Sequence, residues 1–514
     1  MLYRRDHALI SPVLFERNFN VYLPLLLSLM MMIIPVTVFS AEVTASLTLN
    51  EAIRMAVEKN LDVRAELYNS AAYEADIKRN RAIYDPLFTA QSNYSDSTVP
   101  TATVGSPISV AGKAFELNAG LSQLLWTGAT VSAGFNNSHS STNTNSYDYW
   151  QSSLGVSLVQ PLLKNVGREA TEVNINVSRL NKFASLEHFN SRLLSTVAQV
   201  RNEYYKLHSL REEREVKNVS LQLARKILSD TEARVKAGVL PAMEVLNAEF
   251  GAVSREKDLI DAERAVSDQV DVLRLLLQMN AETSDLKTVD LPPRDRFDVN
   301  ESDAIQKALN RPDIREQKRN LELYELQTKN FSQKTRPDLI LTASTQSAGL
   351  NNAYHRNMDS VFSIENPGWS VGLEFKYPLG NGAAENDYRR SRLKTEQTSL
   401  QLRSLEESSA KEVKAAIRGI SVGYKQIDVA DRGAKFAEER LRAFIRKNEV
   451  GLATTKDVLD VENDLAVAKS NQIKAAVGYA NALTTYWQVT GELLEKEGIR
   501  VVEGDADKLY SATH

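Results

Sequence analysis

Few side chains in this sequence are spaced to do covalent chemistry. Its six histidines, His7, His139, His188, His208, His355 and His514, stand singly, with no metal-ligand spacing. The chain has no Cys, which excludes disulfides, thiolate metal sites and an acylated N-terminal Cys. No Ser-based elbow, P-loop or Rossmann glycine pattern is present. The residues therefore argue against an enzyme and imply no cofactor and no metal. The informative pair is Asp457 and Asp460. Carboxylates at i and i+3 share one face of a helix and can act together on a cation. Asp457 could also simply cap the helix that begins there.

These aspartates lie in a turn that the chain writes twice. Arg234-Val-Lys-Ala-Gly238 leads into Glu244-Val245-Leu246 and Glu249, and Lys447-Asn-Glu-Val-Gly451 leads into Asp457-Val458-Leu459-Asp460 and Glu462. Both copies read Gly, six residues, Val-Leu, two residues, Glu. Gly is the residue best able to end a helix in the left-handed conformation. Each copy therefore reads as the tip of a long helical hairpin, and the shared spacing points to an internal duplication. Ala52-Ile53 and Ala304-Ile305 extend it to the start of each half.

Long helices must carry these tips. No Gly falls between Gly167 and Gly238, and no Pro between Pro161 and Pro241. A helix over 168–236 would be about 100 Å long. Leu193, Val197, Val200, Tyr204 and Leu207 follow coiled-coil spacing, as do Val266, Val270, Leu273 and Leu277, and Ile473, Ala476, Ala480, Leu483 and Trp487. Shorter ascending helices are expected at about 50–84, with Asn50 as cap, and 303–336. Residues 281–300, with Pro292-Pro293, link the halves and could form a belt midway.

After Pro86 and Pro337 the period changes to that of strands. Four runs follow in the first half and two in the second. In the clearest, Trp369, Val371, Leu373, Phe375 and Tyr377 alternate with Ser370, Gly372, Glu374 and Lys376. Such alternation fits a lipid-facing barrel strand or a half-buried soluble sheet. Residues 96–112, 136–149 and 347–367 read as long polar loops, against a short turn at 125–128. Long loops on one side favour the barrel. Six strands would make a barrel too small to conduct, so several chains must share one. Arg4, Arg5 and Arg17 precede an apolar run over 21–39, followed by small residues to Ala41, which reads as a secretory signal peptide. A formal charge of −4 gives no reason to expect nucleic acid.

With Leu47-Thr-Leu-x-Glu51-Ala-Ile, the two tips and the Pro161-Leu162 and Pro378-Leu379 junctions, residues from about 45 to 500 resemble the TolC family of outer-membrane efflux proteins. The resemblance implies an α+β membrane protein. Strands from three protomers form one β-barrel, which continues as a coiled-coil tunnel across the periplasm. It divides the chain into a signal peptide (1–40), a first repeat (41–290; strands about 87–160, hairpin about 168–280, tip 237–241), a second repeat (291–500; strands about 339–378, hairpin about 383–490, tip 450–454) and a tail (501–514). It implies a homotrimer in outer-membrane lipid that meets a periplasmic adaptor and an inner-membrane pump of RND, ABC or MFS type. Such a duct serves tripartite efflux or type I secretion and conducts passively. By the same resemblance, Val450-Gly451-Leu452 and, more loosely, Ala237-Gly238-Val239 would dock the adaptor, and Asp457 and Asp460 would form acidic rings at the constriction.

Some residues depart from that pattern. Asn448 and Ala453 stand where a Tyr and an Arg can hold the family's entrance closed, and Glu244 replaces an Asp, so closure must use other contacts. The four strands of the first half exceed the usual two. The trimer then has about 18 strands rather than about 12, or one hairpin folds outside the wall. The competing reading is an exported trimeric coiled-coil stalk or adhesin without a pore, for which duplicated strands and hairpin tips would serve no purpose.

Overall fold

The computed structural model describes residues 44–103, 106–143, 148–279, 285–501 and 504–512. The expected signal peptide lies outside these residues. The chain begins with strand β1 (Thr44–Leu47) and helices α1 (Leu49–Lys59) and α2 (Leu61–Arg81). Thr48, not Asn50, caps α1, because Glu51 is placed to complete a capping box with it at 3.2 and 3.0 Å. Asn60 ends α1 and restarts α2, its side chain accepting from the Asp62 and Val63 amides.

Four strands follow: β2 (Leu87–Thr103), β3 (Ser106–Leu124), β4 (Thr130–Thr142) and β5 (Tyr149–Pro161). Next come the short α3 (Arg168–Thr171), the 64-residue α4 (Val173–Lys236) and α5 (Met243–Leu277). Strand β6 (Asp285–Thr288) pairs in parallel with β1. Helices α6 (Glu301–Ala308) and α7 (Pro312–Lys334) break at Arg311, where Pro312 takes the first helical position. Strands β7 (Asp338–Asn351) and β8 (Pro367–Lys376) flank α8 (Tyr354–Phe362). The 68-residue α9 (Gly382–Glu449), α10 (Thr455–Thr490), α11 (Leu493–Lys496) and α12 (Gly504–Ala512) complete the chain.

The six long strands form one antiparallel sheet in the order β2-β3-β4-β5-β7-β8. All four long strands of the first half are therefore in the same wall, and neither of their hairpins folds away from it. The polar stretch 96–112 is not a loop. Its register continues from Asp96↔Lys113 to Thr103↔Ser106, so β2 and β3 project as a two-stranded ribbon past the Gly112↔Thr142 end of the β3–β4 pairing. Likewise β7 runs to Asn351, and α8 occupies much of the expected loop 347–367. Thr favours strands, and a strand whose faces both meet water can be polar throughout, so polarity alone does not separate ribbon from loop.

The pairing sorts side chains by face. On one face Phe88, Leu121, Ala133, Val156 and Thr345 follow one another across the strands to Trp369. On the other, Thr89, Gly120, Gly134, Gly155, Gln346 and Gly368 do so. Thr89, Ser132, Ser153 and Ser344 line one depression, so the polar face is concave. The apolar face is convex and largely uncovered: Val371, Leu373 and Phe375 are 63%, 68% and 64% exposed.

The helices pack side by side, and near the tips α4, α5 and α10 share one core. Towards the tips α4 packs beside α5 and α10, α10 packs beside α9, and α5 also reaches α10 through Arg255. Towards the strands α4 packs beside α2 and α7, and α7 beside α9. The main core lies midway, where Val197, Val200, Tyr204, Ala480 and Leu483 are buried together. Two tyrosines fasten the 285–300 connection there. Tyr204 Oη donates to Leu47 O and accepts from the Val289 and Asp290 amides; Tyr479 Oη donates to Asp295 O and accepts from Phe297 N. Burial pushes the Tyr204 phenol up to about 12. Among the described residues no helix is long and apolar enough to cross a membrane.

Candidate functional site

Both tips are built alike. At the first, Gly238 N donates to Val235 O and Val239 N to Arg234 O. At the second, Gly451 N donates to Asn448 O and Leu452 N to Lys447 O. Both glycines are left-handed, at φ 74° and 76°. Each helix thus ends in a Schellman turn whose paired bonds satisfy terminal carbonyls. Ala237 caps α4, while Val239, Val450 and Leu452 project with 70%, 70% and 77% of their surface exposed.

Thr454 opens α10. Its hydroxyl accepts from Asp457 N at 3.1 Å, and Asp457 Oδ2 accepts from Thr454 N at 2.8 Å. The capping role of Asp457 is therefore real, and these hydrogen bonds hold its carboxyl below the usual range. Asp457 and Asp460 are both exposed on α10, opposite the buried Val458, Leu459, Val461 and Glu462. Asp464, one turn further, extends the stripe, with Arg440 at 2.8 Å. The i+7 spacing from Asp457 to Asp464 was the sequence signal for this third member.

Glu462, which closes the shared sequence pattern, is not on that stripe. It is 3% exposed and takes hydrogen bonds from Ser220 of α4 and from Arg255 Nε of α5, at 3.1 Å for the latter. Arg255 also donates to Leu459 O at 2.8 Å. Gly251 lets α5 approach α10 closely, since a Cβ there would lie 2.7 Å from Leu459 Cδ1. Its sequence counterpart Glu249 is exposed, so the two tips use the same pattern differently.

Asn448 and Ala453 make contacts of their own. Asn448 Nδ2 donates to Ala453 O at 3.0 Å, and Arg234 of the first tip donates to Asn448 O and Oδ1, both at 3.1 Å. The two hairpin ends are tied together within one chain. Of the proposed lipid-facing residues, Trp369, Val371, Leu373 and Phe375 lie on the convex face of β8, whereas Tyr377 falls one residue beyond the strand. Among the described residues no group of acidic, His or Cys side chains could hold a metal.

The sequence profile of outer membrane efflux proteins matches residues 52–277 and 304–492. The chain belongs to this family. Its members are outer-membrane channels with a periplasmic helical tunnel, and the chain is accordingly an outer-membrane protein. A curated relative, Nodulation protein T of Rhizobium leguminosarum bv. trifolii, is 23% identical over 265 residues, covering 51% of this chain and 55% of the relative. The chain thus spans about half the length of that relative. Among solved structures, the outer-membrane channel OprN aligns at TM-score 0.66 and 15% identity, over 86% of this chain and 90% of that one. The Campylobacter jejuni CmeC channel aligns at 0.65 and 15%, over 90% and 89%. The open Neisseria gonorrhoeae MtrE channel aligns at 0.61 and 17%, over 87% and 89%. These likenesses show the TolC-like fold.

Proposed function

We propose that three copies of this chain form the passive outer-membrane duct of a tripartite efflux or type I secretion system. The observation that carries the trimer is that every wall of the protomer ends in free edges. Among the described residues, strands β2 and β8 each pair on one side only. Helices α5 and α9, each packed mainly against one neighbour, stand at the edges near the tips. Both edge helices carry exposed apolar residues at heptad spacing, Leu246, Val253 and Ile260 on α5 and Val422, Val429 and Phe436 on α9. Unpaired strand edges in lipid would leave backbone groups unsatisfied, so closure by further copies is required. Three six-stranded sheets give a barrel of about 18 strands, wide enough for an aqueous lumen.

In this assembly the convex face bearing Trp369, Val371, Leu373 and Phe375 meets lipid, and the concave face of Ser, Thr and Gly lines the lumen. The chain divides into two tandem TolC-like repeats joined by the 281–300 belt. Asp457 and Asp460 form acidic rings at the tunnel entrance. The exposed Ala237-Gly238-Val239 and Val450-Gly451-Leu452 dock a periplasmic adaptor, through which an inner-membrane pump supplies cargo and energy. The stalk or adhesin reading fares worse, because it leaves an uncovered apolar sheet face without purpose.

The test is single-channel recording from purified protein in a planar bilayer. Discrete conductance is expected. Absence of current from inserted trimers, persisting after deletion of 237–240 and 450–453, would return the protein to a structural role.

A further inference from the structure

Helix α8 lies on the convex face of the sheet, over β5 and β7, at the end far from the tunnel. What it covers is the exception on an otherwise apolar face. Asn137, Ser152 and Ser347 have the same side-chain parity as Phe135, Leu154 and Thr345, so they point the same way as the apolar rungs. All are buried, at 3%, 1% and 8% exposure. Ser152 Oγ donates to Asn137 Oδ1, and Asn357 Nδ2 of α8 donates to Ser152 Oγ, both at 2.6 Å. Ser347 Oγ donates to Val361 O at 2.7 Å. Gly349 makes this seat possible, since a Cβ there would lie 2.3 Å from Asn357 O.

The helix slopes along the sheet. Tyr354, at its start, packs edge-on against Trp150 with centroids 4.9 Å apart. Val361, at its end, reaches Ser347, whose strand partner is Leu154. The C-terminal end thus comes down to the level of an apolar rung. There Phe362 is 68% and Ile364 62% exposed. Ile364 occupies the left-handed position of a Schellman turn, at φ 53°, with its amide bonded to Val361 O and Glu365 N to Ser360 O. Gly fits that position without steric conflict, and a β-branched residue there is an outlier. Water offers no reason to keep an Ile both strained and exposed.

We propose that α8 is an interfacial helix, its Phe362 and Ile364 inserted into the acyl-chain boundary of the outer leaflet. Its inner face meanwhile satisfies Asn137, Ser152 and Ser347, so that lipid does not meet them. An amphipathic helix lying at the headgroup boundary with aromatic and aliphatic residues immersed is a known way to hold a protein at fixed depth. The inference rests on the reading that the convex face meets lipid, and the test separates the two.

The chain has no Cys, so single cysteines at Phe362, Ile364, Val371 and Glu116 can each carry an environment-sensitive fluorophore in the full-length protein. Each is reconstituted in phosphatidylcholine vesicles containing lipids spin-labelled at shallow or deep acyl positions. Quenching of the Phe362→Cys and Ile364→Cys labels by shallow spin labels is expected to be several times that at Glu116→Cys, and stronger than by deep ones. Val371→Cys should be quenched too. If Val371→Cys is quenched but the two α8 sites match Glu116→Cys, the helix proposal falls and the sheet reading stands. Failure at Val371→Cys overturns both. Shielding of the α8 sites from aqueous iodide without lipid quenching would assign them to a neighbouring protomer and overturn the proposal. A Gly349→Val change, which drives α8 off its seat, should abolish the depth preference at Phe362→Cys while conductance persists; an unchanged depth preference would refute the seating of α8.

Discussion

Arg255 of α5 and Glu462 of α10 form a nearly buried ion pair, 3.1 Å apart, with side chains 13% and 4% exposed. It joins the returning helices of the two hairpins just behind the tips. Arg255 also donates to Leu459 O, and Glu462 also accepts from Ser220, so three long helices meet on one carboxylate. Removing one partner leaves the other charge in a poorly solvated site. Glu462→Ala is expected to lower the unfolding free energy of the helical region by about 3 kcal/mol. Replacing both residues by Leu should recover much of that loss. Urea unfolding followed by circular dichroism tests both, and unchanged stability of Glu462→Ala would show that the pair is not a structural lock.

Asp460 separates selectivity from structure. Asp457 is tied into the Thr454 capping box, whereas Asp460 is exposed on the same stripe. Asp460→Asn should weaken cation preference, read as a reversal-potential shift across a salt gradient, with unaltered helicity. Asp457→Asn should weaken preference and also loosen the start of α10. Preference unchanged in the double variant would return both residues to local roles.

Arg234 and Asn448 offer a second handle on the entrance. The two hydrogen bonds from the guanidinium hold the second hairpin end against the first. Hydrogen bonds to a charged group contribute about 1.5–3 kcal/mol, enough to bias an opening equilibrium. Arg234→Ala and Asn448→Ala should each raise mean open time in bilayer recordings, and the double variant should add little. Independent, additive effects would show that the two residues do not act through one another.

His208 should make the belt pH-sensitive. Burial lowers its pKa below the ordinary 6.5, against an opposing pull from Glu212, and its Nδ1 lies 3.4 Å from Thr288 Oγ1 of β6. The folded form therefore binds its proton less readily than the unfolded chain does. The stability contributed is complete above pH 6.5 and is lost as pH falls through the folded pKa. Amides of β1 and β6 should lose hydrogen-exchange protection in that window after correction for intrinsic rates. His208→Leu should remove the pH dependence, and its persistence would place the titrating group elsewhere.

Local rules made much of this architecture legible. Gly238 and Gly451 mark the two Schellman turns because only a residue without Cβ adopts that conformation cheaply. The stretch free of Gly and Pro marks α4, the absence of Pro after Pro378 allows α9, and alternation marks β8. Thr48 and Asn50 are both cap-forming residues and stand close together, and the Thr48–Glu51 box decides between them. The ribbon of β2 and β3 and the helix α8 were hidden because polar composition is common to loops and water-facing elements.

The sequence by itself therefore determined the long helices, the two tips that end them and the period of the clearest strand, since these depend on backbone sterics and side-chain spacing. Only the tertiary structure decided which carboxylate does what. Asp457, Asp460 and Glu462 lie within six positions of one another, and nothing in their chemistry distinguishes them. Packing of α4 and α5 against one side of α10 buries Glu462 beside Arg255 and leaves the aspartates outside. The same holds for the sheet. Alternation named two faces, but the curvature that makes the polar one concave arises from six strands twisting together, which no single strand contains.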